Sequence, residues 1–326
     1  MNEITLVTGS AGFIGFHASL KLLSENKKVI GIDNINSYYD QKIKIKRLKI
    51  LKKNKNFLFF KGDLSKDFIY NKIRNFLNKI QIIYHFAGQA GVRYSIKNPE
   101  DYVKNNILAY IKLLEFFKFS NSVKLFIYAS SSSVYGDNKS ESYSKSSLLR
   151  PLSIYSASKI SMELISNVYC NLYKKKFLGL RFFTVYGPWG RPDMSYYKFC
   201  NLLSANKPIE IYNYGNHSRS FTYIDDLVLN LFKIKDYVFK KKKNISADVY
   251  NLGNPKPTKL ITFIKTLEKI TGRTFKKKFI KKQLGDVKTT KANLNVENKL
   301  FKLKFNYTLA SGLEKFYKWY IQKNKF

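Results

Sequence analysis

Tyr155 and Lys159 stand four residues apart in the string Tyr155-Ser156-Ala157-Ser158-Lys159. On a helix that spacing puts both side chains on one face. A neighbouring ammonium favours phenolate over phenol and so lowers the tyrosine pKa. Moving it from about 10 towards about 7 corresponds to roughly 4 kcal/mol of differential interaction, within reach of a partly buried pair. Such a phenolate takes a proton from an alcohol. Some twenty residues upstream runs Ser130-Ser131-Ser132-Ser133, followed by Val134-Tyr135-Gly136. A hydroxyl from that run would hold the oxygen of the same alcohol. Ser131 and Ser132 are both candidates, and the spacing from Tyr135 favours Ser131. Tyr-x-x-x-Lys alone is a common string, so its meaning depends on its surroundings.

Those surroundings begin at the N-terminus. The apolar run Ile4–Thr8 leads into Gly9-Ser10-Ala11-Gly12-Phe13-Ile14-Gly15. Strand, glycine-rich turn and helix start form a cradle for a pyrophosphate. Gly9 permits the tight turn, Gly12 lets phosphates approach the backbone, and Gly15 lets helix and strand pack closely. Phe13 and Ile14 flank that approach. Asp33, followed by Asn34, closes the second apolar run. A carboxylate there accepts from both ribose hydroxyls of adenosine and repels a 2′-phosphate, so NAD is expected rather than NADP. Asp63 and Leu64, just after the third run, are placed to meet the adenine, unless Asp63 is only a helix cap.

Positioning these groups requires a sheet. Ile4–Thr8, 29–32, Phe57–Lys61, Ile80–His85 and 124–129 are short apolar or β-branched runs. Phe13–Ser24, 64–77, 101–119 and 153–174 between and after them have helical spacing. The alternation predicts an α/β fold: a doubly wound parallel Rossmann sheet with helices on both faces. After Tyr186 the texture changes, with Gly187, Pro188, Gly190 and Pro192 clustered. A helix over 225–234 and a strand over 249–252 read as one crossing back. The expected division is therefore 1–187 plus 225–252 for the NAD-binding domain, and 188–224 plus 253–326 for a smaller C-terminal substrate-binding domain. Lys240 through Lys243 is a charge run expected in a surface loop.

The formal charge of +37 would suit a nucleic-acid binder. Of the 59 basic residues, however, only 8 are arginine, whose planar fork base and phosphate recognition favours. A lysine-rich solvated surface that attracts anionic substrate is the preferred reading, and no nucleic-acid partner is expected. The two cysteines and three scattered histidines give neither a disulfide framework nor zinc-ligand spacing. No metal site is expected. No segment has about 18 consecutive apolar residues, so no membrane association is expected, and a reducing, cytoplasmic setting fits.

Taken together, the glycine motif, Asp33, the serine run and the Tyr155/Lys159 pair resemble the extended short-chain dehydrogenase/reductase family, in its NAD-dependent epimerase/dehydratase group, over essentially the whole chain. Longer strings are similar to the UDP-glucuronate 4-epimerase branch: Gln89 through Ser95, Tyr128 through Gly136, Arg181 through Met194, Phe221 through Asp226, and Gly285-Asp286-Val287. The resemblance implies that Tyr155, helped by Lys159, takes the proton of a sugar 4-hydroxyl while hydride leaves carbon 4 for NAD. The transient 4-keto sugar turns and receives the hydride on its other face. It further implies that Phe86, Ala87, Gln89 and Asn106 lie near the cofactor. Thr184 and Arg93 would face sugar or phosphates, Arg219 the diphosphate, and the segment 207–214, with Tyr212, and Asp286 the uridine. Arg191, after the 187–190 turn, would pair with a uronate carboxylate.

The expected substrate is thus a UDP-sugar, with UDP-glucuronate preferred, and the expected assembly a homodimer joined through the helices around 101–119 and 153–174. Gln283 and Ala90 stand where some galactose-type epimerases carry Arg and Lys, which suits the uronate branch. Three rivals remain at this stage. An epimerase for UDP-glucose or UDP-N-acetylglucosamine would share the machinery. A dehydratase or decarboxylase would want acidic residues where Ser132 and Ser133 stand. A nucleic-acid-binding protein on the same fold would have no use for Tyr155 and Lys159.

Overall fold

Apolar runs ending in glycine-rich or polar turns become the strands of one seven-stranded, all-parallel sheet. The structure is a computed structural model that describes residues 4–136, 138, 142–241, 245–283 and 286–324. Gly285 and two members of the lysine run, Lys242 and Lys243, lie outside the described residues. The first half comprises β1 (Ile4–Thr8), α1 (Phe13–Ser24), β2 (Lys28–Asp33), α2 (Gln41–Leu51), β3 (Phe57–Lys61), α3 (Phe68–Ile73), β4 (Ile80–His85), α4 (Val92–Lys97), α5 (Pro99–Tyr102), α6 (Ala109–Phe117), β5 (Leu125–Ser131) and α7 (Ile154–Tyr173). The second comprises β6 (Phe177–Phe182), β7 (Thr184–Tyr186), α8 (Ser195–Ser204), β8 (Ile209–Tyr212), β9 (Ser218–Tyr223), α9 (Ile224–Lys240), β10 (Ala247–Leu252), β11 (Pro257–Lys259), α10 (Leu260–Thr271), β12 (Lys277–Ile280), β13 (Thr289–Thr290), α11 (Asn295–Phe301) and α12 (Leu309–Asn324).

The central sheet runs β10-β6-β5-β4-β1-β2-β3. The chain enters at β1, winds outward to β3, then returns to the other side of β1 as β4. Between the carboxyl ends of β1 and β4 the winding reverses, and such a switch point is where α/β sheets open a crevice. Near-continuous burial of β1, β2 and β4 on both faces explains why these strands read as unbroken apolar runs.

The smaller unit is built around β9, which pairs with β7, β11 and β13, and around the parallel pair β8–β12. α9 and β10 carry the chain back to the edge of the central sheet beside β6. One apolar cluster spans both units, from Phe16 and Trp189 to Phe316. The crevice therefore has walls from both.

Three segments differ from the sequence expectation. Residues 64–77 give a shorter helix, because Asp63 accepts from Ser65 N–H at 2.8 Å and closes a turn before α3. Residues 101–119 form one helical run interrupted by a π-helical turn over Val103–Leu108. α9 runs on to Lys240, so the lysine run begins on a helix end. α7 begins where the motif needs it: Ser153 and Ser156 form a reciprocal capping box, which fixes the first turn that carries Tyr155.

Candidate active site

The glycine loop is as tight as its chemistry requires. Gly9 has φ +69°, and a Cβ there would stand 2.6 Å from the Ala87 nitrogen. A Cβ on Gly15 would lie 2.1 Å from the Gly9 carbonyl oxygen. α1 starts from Gly12 with no side chain capping it and no acid in its first turn. Its N–H groups and dipole are thus available to an anion. Asp33 is buried, accepting from Ala11 N–H at 3.1 Å and Ile35 N–H at 2.8 Å. Burial pushes its pKa up, while the Ile35 N–H, Lys44 and the Ala11 N–H pull it back. Each carboxylate oxygen keeps a lone pair for a ribose hydroxyl.

A cleft of about 410 Å³ follows the carboxyl ends of the strands. Gly9, Gly12, Phe13, Ile14, Gly15, Asp33, Asn34, Asp63, Leu64, Phe86, Ala87 and Gln89 line one end. Ser131, Ser132, Tyr155, Lys159, Thr184 and Arg191 line the other. Residues 100 or more apart in sequence thus line one cleft. The cradle, the uncapped helix start and the ribose carboxylate fit a dinucleotide of the NAD type.

Asn106 lies elsewhere. It is fully buried behind the cleft. Its Oδ1 accepts from Gln89 N–H at 2.7 Å, and its Nδ2 donates to the Gln89 carbonyl and to Ser158 Oγ. The role expected of it at the cofactor becomes that of a strut: it fixes the backbone of the Gln89 loop and ties that loop to α7. Asn105, its neighbour on the π-helical turn, lines the cleft instead.

The serine run resolves by direction. Ser130 donates to Glu163 at 2.5 Å. Glu163 in turn pairs bidentately with Arg181, so Ser130 faces the interior. Ser131 lines the cleft with Tyr155, and its hydroxyl favours the ionised phenol; its Oγ also accepts from Ser133 N–H at 3.2 Å. Ser131 is therefore the hydroxyl of the run that faces Tyr155. Lys159 is buried, with Nζ 6.0 Å from the Tyr155 ring centroid. Burial lowers its pKa to about 8. Burial also pushes Tyr155 up, with Ser131 and Arg191 opposing. The net shift is therefore upward, opposite to the one expected from Lys159, because the dry surroundings of the phenol dominate. The Arg191 guanidinium also favours the ionised phenol, an influence that sequence spacing could not reveal.

Arg191 is held by Asp193, Nε to Oδ1 at 3.0 Å and Nη2 to Oδ2 at 2.6 Å. Tyr38 donates to the same carboxylate at 3.2 Å. Burial would raise Asp193, but Arg191 beside it wins and keeps it below its ordinary value. Asp193 and Tyr38 were not singled out by the sequence; Asp193 lay within a matching string without an assigned role. Beyond Asp193 opens a second cavity of about 230 Å³, lined by Arg93, Tyr212, Arg219 and Asp286 among others. Arg93 pairs with Asp286 at 2.9 Å and lies 3.9 Å from the Tyr212 ring centroid. Arg219 donates to the carbonyls of Ser218, Val287 and Lys288. The two cavities together offer a dinucleotide slot, a reacting centre and a cation- and aromatic-lined end. Among the described residues no cluster of His, Cys, Asp and Glu could hold a metal.

Comparison with known proteins identifies the family. The family model for the NAD dependent epimerase/dehydratase family matches residues 5–253. The chain is 40% identical to Protein CapI of Staphylococcus aureus, over 98% of this chain and 99% of that one. It is 40% identical to UDP-glucuronate 4-epimerase 6 of Arabidopsis thaliana, over 97% of this chain and 71% of that one. Among solved structures it is similar to the UDP-glucuronic acid 4-epimerase from Bacillus cereus in complex with UDP-glucuronic acid and NAD. That likeness has 34% identity and a TM-score of 0.90, and covers 98% of this chain and 99% of the other. With its glycine cradle, its Tyr155–Ser131 pair and a match over most of its length, the chain belongs to the NAD dependent epimerase/dehydratase family.

Proposed function

We propose that this protein is an NAD-dependent epimerase acting at carbon 4 of a UDP-sugar, and that its substrate pair is UDP-glucuronate and UDP-galacturonate. One observation carries the uronate assignment: Arg191 lines the same cleft as Ser131, Tyr155 and Thr184. In a uronate, carbon 6 hangs from carbon 5, next to the reacting carbon 4. A cation that reads the carboxylate must therefore sit within a few ångströms of the base. A guanidinium has five N–H donors. Asp193 takes the Nε/Nη2 side and Tyr38 lies beside the same guanidinium, so the Nη1/Nη2 edge is the one that would meet a second, planar carboxylate bidentately.

The residues divide the work. Tyr155 takes the proton from the 4-hydroxyl, and Ser131 holds the same oxygen. Lys159 keeps a cation behind the phenol at neutral pH. Bound NAD supplies a hydride acceptor that returns what it takes. Thr184 shares the sugar end, while Arg93, Tyr212, Arg219 and Asp286 receive the diphosphate and uridine. Ser132 and Ser133 offer no carboxylic acid for elimination of water, so the sugar leaves as an epimer.

One observation favours a second reading. The Arg191–Asp193 pair is complete without a substrate carboxylate, so a neutral sugar such as UDP-glucose would leave it undisturbed. Incubating the purified protein with UDP-glucuronate, UDP-glucose and UDP-N-acetylglucosamine, then separating the products, decides between them. Faster turnover of a neutral sugar sinks the uronate assignment.

The assembly we propose is a homodimer. Leu164, Val168 and Leu172 recur at helical spacing on α7 and are exposed, as are Val103 and Leu108 on the neighbouring helical run. A second copy burying that stripe in aqueous solution accounts for it; light scattering that gives a monomer mass refutes it. We read the lysine-rich surface as solvated charge that draws in an anionic nucleotide sugar in the cytoplasm, with no nucleic-acid or membrane partner. No helix among the described residues is long and apolar enough to cross a membrane.

A further inference from the structure

The turn that delivers Arg191 is fastened to the dinucleotide-binding half by two side chains. Arg47, on α2, is fully buried. Its Nη1 donates to the Ala11 carbonyl at 2.8 Å and to Tyr39 Oη at 3.0 Å, and its Nη2 donates to the Trp189 carbonyl and, at 3.2 Å, to the Gly190 carbonyl. Every one of those acceptors is uncharged, and no carboxylate pairs with Arg47 among the described residues. His17, on α1, places Nε2 3.1 Å from the Pro188 carbonyl. That oxygen can only accept, so Nε2 carries the proton. Three consecutive carbonyls, at 188, 189 and 190, are thus held from the cofactor side. Between them Trp189 adopts φ +60°, a left-handed conformation that a bulky residue keeps only when its surroundings impose it. Trp189 also packs on Phe16 and Trp319. Ala11, held by Arg47 through its carbonyl, gives its N–H to Asp33. One guanidinium therefore touches the pyrophosphate loop and the substrate turn at once.

We propose that Arg47 and His17 are positioning residues for substrate selection, which set where Arg191 stands relative to the dinucleotide loop. A buried cation spent on three carbonyls of two different loops is costly unless the register it fixes matters. Arg191 follows Gly190 directly, so any drift of those carbonyls moves its fork. The proposal rests on the reading that Arg191 pairs with the uronate carboxylate.

The test compares kcat/KM for UDP-glucuronate with that for UDP-glucose, at saturating NAD. Arg47→Met lowers this ratio about tenfold or more, chiefly through KM for the uronate. His17→Phe, which keeps an aromatic ring between Phe13 and Phe16, lowers it less, and His17→Gln, which can still donate, restores it. In an Arg191→Ala background Arg47→Met leaves the residual ratio unchanged, because it acts through Arg191. Trp189 supplies a readout apart from turnover: in a Trp319→Phe background its emission shifts to the red on Arg47→Met. If Arg47→Met does not fold, the two His17 variants carry the test. The proposal is overturned if the variants lose thermal stability but keep the wild-type ratio, or if Arg47→Met lowers the ratio further without Arg191. A wild-type enzyme that shows no uronate preference, or keeps it on Arg191→Ala, removes the underlying reading, and the proposal with it.

Discussion

Arg191 and Asp193 meet side-on, Nε 3.0 Å from Oδ1 and Nη2 2.6 Å from Oδ2, at the partition between the two cavities of the site. Two residues of one short turn hold each other in a fixed plane. The consequence is orientation rather than affinity: the carboxylate stops the guanidinium from rotating, so its far edge faces the cleft in one pose.

Asp193→Asn should therefore raise KM for UDP-glucuronate by about 5- to 50-fold, on the order of 1–2 kcal/mol, with a smaller change for UDP-glucose. The same pair carries a pH signature. Asp193 is held below its ordinary pKa in the fold, so its stabilising contribution is full above the unfolded value, about 4. That contribution is lost as pH falls through the lower, folded value. Thermal melts of wild type and Asp193→Asn should differ at pH 7 and converge in strong acid. A constant gap down to pH 2 would refute the pair's electrostatic role.

Tyr155→Phe removes one oxygen from the cleft. It should reduce turnover by about a thousandfold or more while leaving NAD binding and the melting temperature nearly unchanged. Appreciable activity in a folded Tyr155→Phe protein would displace the base to another residue.

Lys159 makes a less obvious prediction. Its folded pKa, about 8, lies below the unfolded value near 10.4. For a base shifted down, folding disfavours the charged form. The penalty is full below the folded pKa and vanishes as pH rises past the unfolded one. Lys159→Met should thus lose activity yet melt at a higher temperature than wild type at pH 7, and the advantage should shrink between pH 8 and 10.5. A variant destabilised at pH 7 would mean that the ammonium has a stronger partner than its buried surroundings suggest.

Cofactor choice turns on Asp33 and what stands behind it. Lys44 lines the same end of the cleft and donates to the Asn36 carbonyl and Oδ1. Titration calorimetry should show NAD binding at least about 100-fold tighter than NADP, from like-charge repulsion. Asp33→Asn should narrow the gap from both sides, since Lys44 and Arg47 would then be the remaining charges near a 2′-phosphate. Equal affinity for the two dinucleotides in the unmodified protein would contradict the role given to Asp33.

The sequence was legible where one kind of burial dominated. β1 and β4 coincide with the runs Ile4–Thr8 and Ile80–His85, because strands buried on both faces leave no polar positions to confuse the pattern; β3, at the sheet edge, coincides with Phe57–Lys61 through its apolar run alone. α2 was missed. Its Ile and Lys residues nearly alternate, which obscures a helical face, and its buried positions include Lys44 and Arg47. In a chain with so many basic residues, those two looked like surface. The site followed the same rule. Motifs pointed to the residues of the cradle and of the proposed base, but not to their directions: Ser130 turns inward, Ser131 lines the cleft, and Asn106, expected near the cofactor, stands behind the Gln89 loop. Asp193 and Tyr38 carry no motif of their own, and only the turn geometry joins them to Arg191.

The surface charge supplies the last prediction. A formal charge of +37 produces a long-range field that concentrates anions near the protein. Around the second cavity, Lys198 and Lys278 act on Glu210, and Lys282 acts on His217, alongside Arg93 and Arg219. This end of the site is therefore richer in cations than its pairings require. UDP-glucuronate carries one more negative charge than UDP-glucose, so it should feel the field more. At low ionic strength the Debye length exceeds the width of the site, and at about 0.3 M salt it falls to roughly 6 Å. Raising salt from about 20 mM to about 300 mM should lower kcat/KM for UDP-glucuronate by roughly tenfold, through KM, with a shallower slope for UDP-glucose and little change in kcat for either. Lys198→Glu with Lys278→Glu should flatten both slopes without altering NAD binding. If the slopes for the two sugars are equal and survive that double substitution, the lysines near the second cavity do not steer substrate, and the uronate preference rests on contact with Arg191 alone.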